Sequence, residues 1–305
     1  MRKHFSNYIE NVADKYDDLV FVTGDLGYNA LENLRDKLGN RFINAGVAEQ
    51  NMIGMAAGMA YRGYRVVCYS IAPFVVYRCL EQMRNDVCFH ELPVFIAGNG
   101  GGYHYGALGS SHHALEDLAV LSGLPNMRCY VPAFLDDMNT CMDEMFERRL
   151  PAYLRLGVGK PMPASFTPTA YGARRTVANA QLTVVAQSPI INNVLQALQN
   201  DGLDGVTDVF VVNRMPLTDL PADIAHSLST CKRLLTVEEH VAVGGLGASV
   251  AYQAAALGIA VEKYVSVCAH GYPNGLYGNQ SYHHEVNGMD IAGLSRTLHT
   301  FFENA

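Results

Sequence analysis

Short apolar runs alternate with longer stretches of helical spacing over the first 165 residues. The runs at 19–23, 41–44, 64–69, 92–97, 127–131 and 152–156 are rich in Val, Ile, Phe and Tyr and read as strands. Apolar positions three and four apart predict helices over about 30–38, 49–61, 75–87, 114–122 and 135–148. Strands alternating with helices of this length predict a parallel sheet covered on both faces. Residues 158–170 hold three prolines and small polar residues, the marks of a linker. The alternation then restarts, with strands at 182–186, 206–212, 233–237 and 261–267 and helices at 189–200 and 245–257. The chain is therefore expected to be α/β, with two doubly wound domains at 1–168 and 169–305, the second smaller.

Composition narrows the class. Of 305 residues, 49% are hydrophobic and 17% charged, with a net charge of −7. Disordered chains show the opposite balance. An acidic chain without clustered Lys and Arg argues against a nucleic-acid partner. No run of 18 uncharged apolar residues occurs, so no membrane span is expected. The first residues, Met1-Arg2-Lys3-His4-Phe5-Ser6, lack the apolar stretch of a signal peptide. Seven scattered cysteines with no CxxC pair argue against a disulfide framework or zinc site, and the cytoplasm is the expected compartment. The low charge also suggests a buried subunit face.

Ligands in such sheets bind where strands end. The run Asn44-Ala45-Gly46-Val47-Ala48-Glu49 ends a strand, turns, and opens a helix that carries no further charge through Ala60. That helix is expected to be buried nearly all round. Glu49 is either an ordinary acidic helix start or a functional carboxyl at a helix dipole. In Ser70-Ile71-Ala72-Pro73-Phe74-Val75-Val76-Tyr77, Phe74 and Tyr77 lie three apart on one helical face, as core or as a ring platform. The segment 98–113 places many glycines after a strand, where backbone can approach a ligand. It is neither a dinucleotide fingerprint nor a P-loop. His104, His112 and His113 gather there, at a spacing that fits no standard metal set. Asp25 stands where the first strand ends, as a turn residue or a site residue. In the second domain, Glu238-Glu239-His240 with Gly244-Gly245-Leu246-Gly247 reads as a strand end and helix start whose glycines serve packing. His283 and His284 have no evident partners.

Taken in order, Gly46-Val47-Ala48-Glu49-Gln50, Phe74-Val75-Val76-Tyr77, Ser111-His112-His113-Ala114-Leu115-Glu116-Asp117, Pro125-Asn126-Met127 and Val237-Glu238-Glu239-His240 resemble the transketolase family of thiamine-diphosphate enzymes. The resemblance is to its last two domains, the pyrimidine-binding domain and the domain that follows it. It implies that Glu49 hydrogen-bonds N1′ of the cofactor pyrimidine, which brings out the 4′-imino form that deprotonates C2 of the thiazolium ring. A carboxyl in a water-poor site suits that task. It further implies that Phe74 stacks on the pyrimidine with Tyr77 and Ile71 nearby, that Asp25 lies near the cofactor, and that His112 contacts the substrate. His104, His113 and Arg155 are further substrate-pocket candidates.

The family binds the cofactor's metal, usually Mg²⁺, and diphosphate through a Gly-Asp-Gly motif, and this chain has none. The resemblance thus implies the carboxyl-terminal subunit of a split transketolase. An amino-terminal partner subunit would supply the motif, in a self-associating α₂β₂ heterotetramer, and this chain itself would ligate no metal. Leu108 stands where the family has an Asp that recognises a donor hydroxyl. This points to two-carbon ketol or related transfer on a sugar or sugar-like substrate with fewer polar contacts. Two other readings remain open: the β subunit of a 2-oxoacid dehydrogenase, and a non-catalytic scaffold subunit.

Overall fold

The computed structural model describes residues 1–27 and 29–302; Tyr28 and residues 303–305 lie outside it. Two sheets organise the chain. The first is built from β1 (Leu19–Thr23), β2 (Phe42–Asn44), β3 (Arg65–Ile71), β4 (Val94–Asn99), β5 (Arg128–Tyr130) and β6 (Ala152–Leu156). All six run parallel, in the order β5-β6-β4-β3-β1-β2. Their connections are α1 (Arg2–Val12), α2 (Glu32–Leu38), α3 (Glu49–Tyr61), α4 (Ala72–Tyr77), α5 (Leu80–Gln82), α6 (Asp117–Ser122) and α7 (Leu135–Arg148). Both faces of the sheet are covered. Phe5, Ile9, Phe21, Phe95 and Phe146 fill one side, and Met52, Ile53, Val75, Ile96 and Leu118 fill the other.

The second sheet contains β7 (Thr167–Thr169), β8 (Gly172–Arg175), β9 (Leu182–Ala186) and β10 (Thr207–Val212), then β12 (Arg233–Val241) and β13 (Lys263–Ala269). Its order is β13-β12-β9-β10-β8-β7, with β7 and β8 antiparallel to their neighbours. The helices here are α8 (Ile191–Asn200), α9 (Ala222–Cys231), α10 (Leu246–Ala256), α11 (Gln280–Val286) and α12 (Ile291–His299). Between β10 and β12, a two-residue strand β11 (Arg214–Met215) leaves this sheet. It pairs antiparallel with β5 and so lengthens the first sheet.

Several expectations are corrected. The stretch 158–170 is not all linker, since β7 forms at its end and β8 follows it. The helix expected over 75–87 is α4, α5 and a π-helical turn at Met83–Cys88. The segments of α1, α9, α11 and α12 also form helices. α3 is buried on one face only: Met52, Ile53, Ala56 and Ala60 face the sheet, while Tyr61 is 75% exposed. A Cβ added at Gly54 or Gly58 would meet nothing within 4 Å. The absence of charge therefore belongs to an uncovered face, not to a wrapped helix.

The Gly244-Gly245-Leu246-Gly247 motif has a packing cause. The carboxylate of Glu238 accepts the backbone N–H groups of Leu246 and Gly247, both at 2.7 Å, and thereby caps α10 from a neighbouring strand. A side chain at Gly245 would strike that carboxylate, and one at Gly247 would meet Thr236 Oγ1. Glu238 is fully buried, and burial pushes its carboxyl up from 4.5 to about 7. Between those values the folded chain holds a proton that the unfolded chain has lost. The group's contribution to stability is therefore complete below about 4.5 and is lost as pH rises through 7. Denaturant unfolding of the wild type is expected to lose up to about 3 kcal/mol more across this window than Glu238→Gln does. Equal pH slopes in the two proteins would refute the assignment.

Candidate active site

The carboxyl ends of β1, β2, β3 and β4 meet at one edge of the first sheet. Glu49 opens α3 there and is 3% exposed. Its Oε1 accepts from Ser70 Oγ at 3.2 Å and its Oε2 from Arg78 Nη1 at 3.1 Å. Gly24 at the end of β1 comes so close that an added Cβ would lie 3.3 Å from Ser70 Oγ. β3 ends at half-buried Ile71, and α4 starts immediately with Pro73 in its first turn. That abrupt strand-to-helix change sets Phe74 beside Glu49. The Arg78 guanidinium lies over the Phe74 ring, 4.0 Å from its centroid. The His112 ring meets the same Phe74 edge-on at 5.0 Å. Glu49, Arg78, Phe74 and His112 thus form one continuous run.

Around this run, Ser111 Oγ lies 3.0 Å from His112 Nδ1. Tyr105 stands on the other side of His112, with ring centroids 6.1 Å apart. Its hydroxyl accepts from Asn99 Nδ2 at 2.6 Å. A side chain at Gly100, where φ is +81°, would strike the Tyr105 ring, so this glycine exists to seat the tyrosine. Asp25 adopts φ +59° and accepts from Asn44 Nδ2 at 2.8 Å. Asp25, Thr23, Leu26, Leu31, Phe42 and Asn44 line a cleft of about 340 Å³. The Tyr77 hydroxyl donates to Glu116 Oε2 at 2.9 Å and accepts the Glu116 N–H, and burial raises its pKa.

Two candidates, Arg155 and His113, have structural partners of their own. Arg155 is 4% exposed, and its guanidinium contacts the Asp117 carboxylate at 3.1 Å, Ala114 O at 2.6 Å and Glu239 O at 3.1 Å. The residue ties the two sheets together. His113 is buried between Gly106 O, which accepts from Nε2 at 2.8 Å, and the Tyr272 hydroxyl, 2.7 Å from Nδ1. Burial lowers its pKa. It anchors the loop instead of facing a pocket. His104 is half-buried, its Nδ1 has no partner among the described residues, and burial lowers its pKa as well.

The glycines of 98–106 are corrected too. Added side chains at Gly101, Gly102 and Gly106 would collide with Arg155, with Glu239 and with the Gly278–Asn279 backbone. Gly102 and Gly106 thus admit the second domain, and Gly101 admits the Arg155 side chain of β6. Glu239 in turn is held by His284 Nε2 at 2.6 Å and Gln280 Nε2 at 3.0 Å, and His283 stacks on Tyr103 at 4.5 Å.

Sequence reasoning did not single out Ser70, Arg78, Asn99 or Tyr105. Ser70 and Arg78 flank residues already in view, one before Ile71 and one after Tyr77. Their roles depend on a carboxylate 21 and 29 positions away.

Comparison with known proteins identifies the family. The family described as "Transketolase, pyrimidine binding domain" matches residues 1–160. An apulose-4-phosphate transketolase subunit of Phocaeicola vulgatus is 30% identical, over 98% of this chain and 96% of its own length. 1-Deoxy-D-xylulose-5-phosphate synthase of Clostridium perfringens is 25% identical over 96% of this chain, which spans 48% of that protein. A solved structure titled "Split gene transketolase, inactive beta4 tetramer" superposes with a TM-score of 0.80 at 25% identity, covering 98% of this chain and 96% of that one. With a carboxyl at a helix start, an aromatic face beside it, and these matches along nearly its whole length, the chain belongs to the thiamine-diphosphate-dependent transketolase family, as a carboxyl-terminal subunit.

Proposed function

We propose that this chain supplies the pyrimidine half of the active site in a split, cytoplasmic transketolase. It would transfer a two-carbon ketol or related unit between sugar or sugar-like substrates. A partner subunit carrying Gly-Asp-Gly would hold Mg²⁺ and the diphosphate, in a heterotetramer. The observation that carries the reading is the pairing of Glu49 with Phe74: a buried carboxyl and an aromatic face close enough for one guanidinium to touch both. The fit has a direct indication, because a flat nitrogen-edged group, the guanidinium of Arg78, already lies on that face and bonds that oxygen. The proposed division near residue 168 leaves every residue of this run in the first domain.

Thiamine diphosphate, when bound, supplies the carbon that takes up and passes on the two-carbon unit. Glu49 would hold a proton against the pyrimidine ring nitrogen, with Ser70 fixing its other oxygen. Phe74 would set the height of the ring, with Ile71 and Tyr77 bordering it and Asp25 at the rim. His112, held at Nδ1 by Ser111, would exchange protons with substrate oxygens through Nε2.

Uncovered apolar faces support self-association. Gly54, Gly58 and Tyr61 of α3 and Tyr252 of α10 lie on uncharged helix faces, and the apolar cluster beneath runs from α3 through α4 and α6 to α10.

In the complex with its partner, Glu49→Ala is expected to lower ketol transfer by about 10²–10⁴-fold with assembly unchanged on gel filtration. Full activity would favour a scaffold role. Decarboxylation of 2-oxoacids with a lipoyl acceptor, without ketol transfer, would favour the dehydrogenase reading. Leu108 is 56% exposed beside the loop that carries His112. Leu108→Asp is expected to shift donor preference about tenfold toward more hydroxylated ketoses, measured as a ratio of kcat/KM values. An unchanged ratio would remove Leu108 from the specificity argument.

A further inference from the structure

Arg78 ends α4 one turn after Phe74, and residues four apart on a helix share a face. Its guanidinium therefore lies over the Phe74 ring, 4.0 Å from the centroid. The same group reaches Glu49 Oε2 at 3.1 Å. A guanidinium is planar and delocalised, and it presents N–H groups in its plane and a flat face above it. An aminopyrimidine has the same two properties. Each needs the Phe74 face and the Glu49 oxygen, and one slot cannot hold both.

We infer that Arg78 is a resident stand-in for the pyrimidine ring, and that thiamine diphosphate enters by displacing it. The inference rests on the assignment of Glu49 and Phe74 to that ring. Arg78 is suited to leave, since its side chain is 49% exposed and swings into solvent without repacking the core. It is also useful while it stays. Glu49 is buried, and without Arg78 only Ser70 would serve its carboxylate. A half-exposed ion pair and one cation–π contact are each weak. The cofactor's apparent affinity therefore scales with the fraction of time the slot stands empty, and entry is not blocked.

The test uses the chain assembled with its partner subunit, and isothermal titration with thiamine diphosphate as the readout. Arg78→Gln and Arg78→Ala are each expected to bind the cofactor about tenfold more tightly than wild type. In Arg78→Ala the vacated slot is expected to accept free guanidinium, so that millimolar guanidinium chloride competes with the cofactor there and not in wild type. Equal or weaker cofactor binding by both variants overturns the inference, as does a lack of guanidinium competition in Arg78→Ala. Glu49→Gln separates this failure from failure of the site itself. If wild type binds and Glu49→Gln does not, the pyrimidine site stands whatever Arg78 does. If wild-type complex binds no thiamine diphosphate, the site assignment falls and Arg78 falls with it.

Discussion

The guanidinium of Arg155 sits where the first sheet, the second sheet and the His112 segment converge. It projects from β6, pairs with Asp117 at the start of α6, and donates to Ala114 O and to Glu239 O on β12. Tyr153, two residues earlier on the same strand, adds its hydroxyl to Asp117 at 2.7 Å. Burying this much charge is costly, and breaking such a pair from one side costs about 3–5 kcal/mol. The arrangement fixes the segment between Gly109 and Asp117 at one end. His113, bonded to Gly106 O and Tyr272, fixes its middle. His112 is presented to Phe74 between Ser110, whose Oγ accepts from the Tyr277 hydroxyl, and His113, held by Tyr272.

The glycine-rich stretch follows from the same constraint. Its backbone is pressed against side chains of the molecule itself: Tyr105 above Gly100, Arg155 above Gly101, Glu239 above Gly102. The histidines that looked like loose loop ligands divide accordingly. His113 and His283 belong to an aromatic packing cluster, His284 partners Glu239, and His112 remains at the site edge. The α3 helix shows the converse case. Its missing charges reflect a surface left open in the single chain, consistent with the 17% charged composition.

The parallel strands of the first sheet were legible because each is a continuous apolar run between turn residues, as in Leu19–Thr23 and Ala152–Leu156. Motif order singled out Glu49, Phe74 and His112, and the structure brings all three together. What stayed hidden has physical reasons. α1 buries only Phe5, Ser6 and Ile9 in an otherwise polar segment, so its period is faint. β7 and β8 are short antiparallel strands in a proline-bearing stretch, which local propensity reads as loop. Arg155 lies within an apolar strand, and nothing local reveals that its charge is met by Asp117, 38 positions earlier, and by a carbonyl 84 positions later. Arg78 is an ordinary helix-end arginine until the fold sets Glu49 beneath it.

β11 has a bearing on how this protein can be divided. Residues 214–215, well inside the second half of the chain, complete the first sheet at β5. Asn213 bonds Asp137 and Arg214 bonds Glu144, both on α7. A first domain cut free near residue 168 would carry a bare strand edge at β5, the kind of edge that recruits foreign strands. The halves are interlocked like a joint with a returned tongue. In any rearrangement of genes that moves this catalytic module, the stable unit of inheritance is the pair.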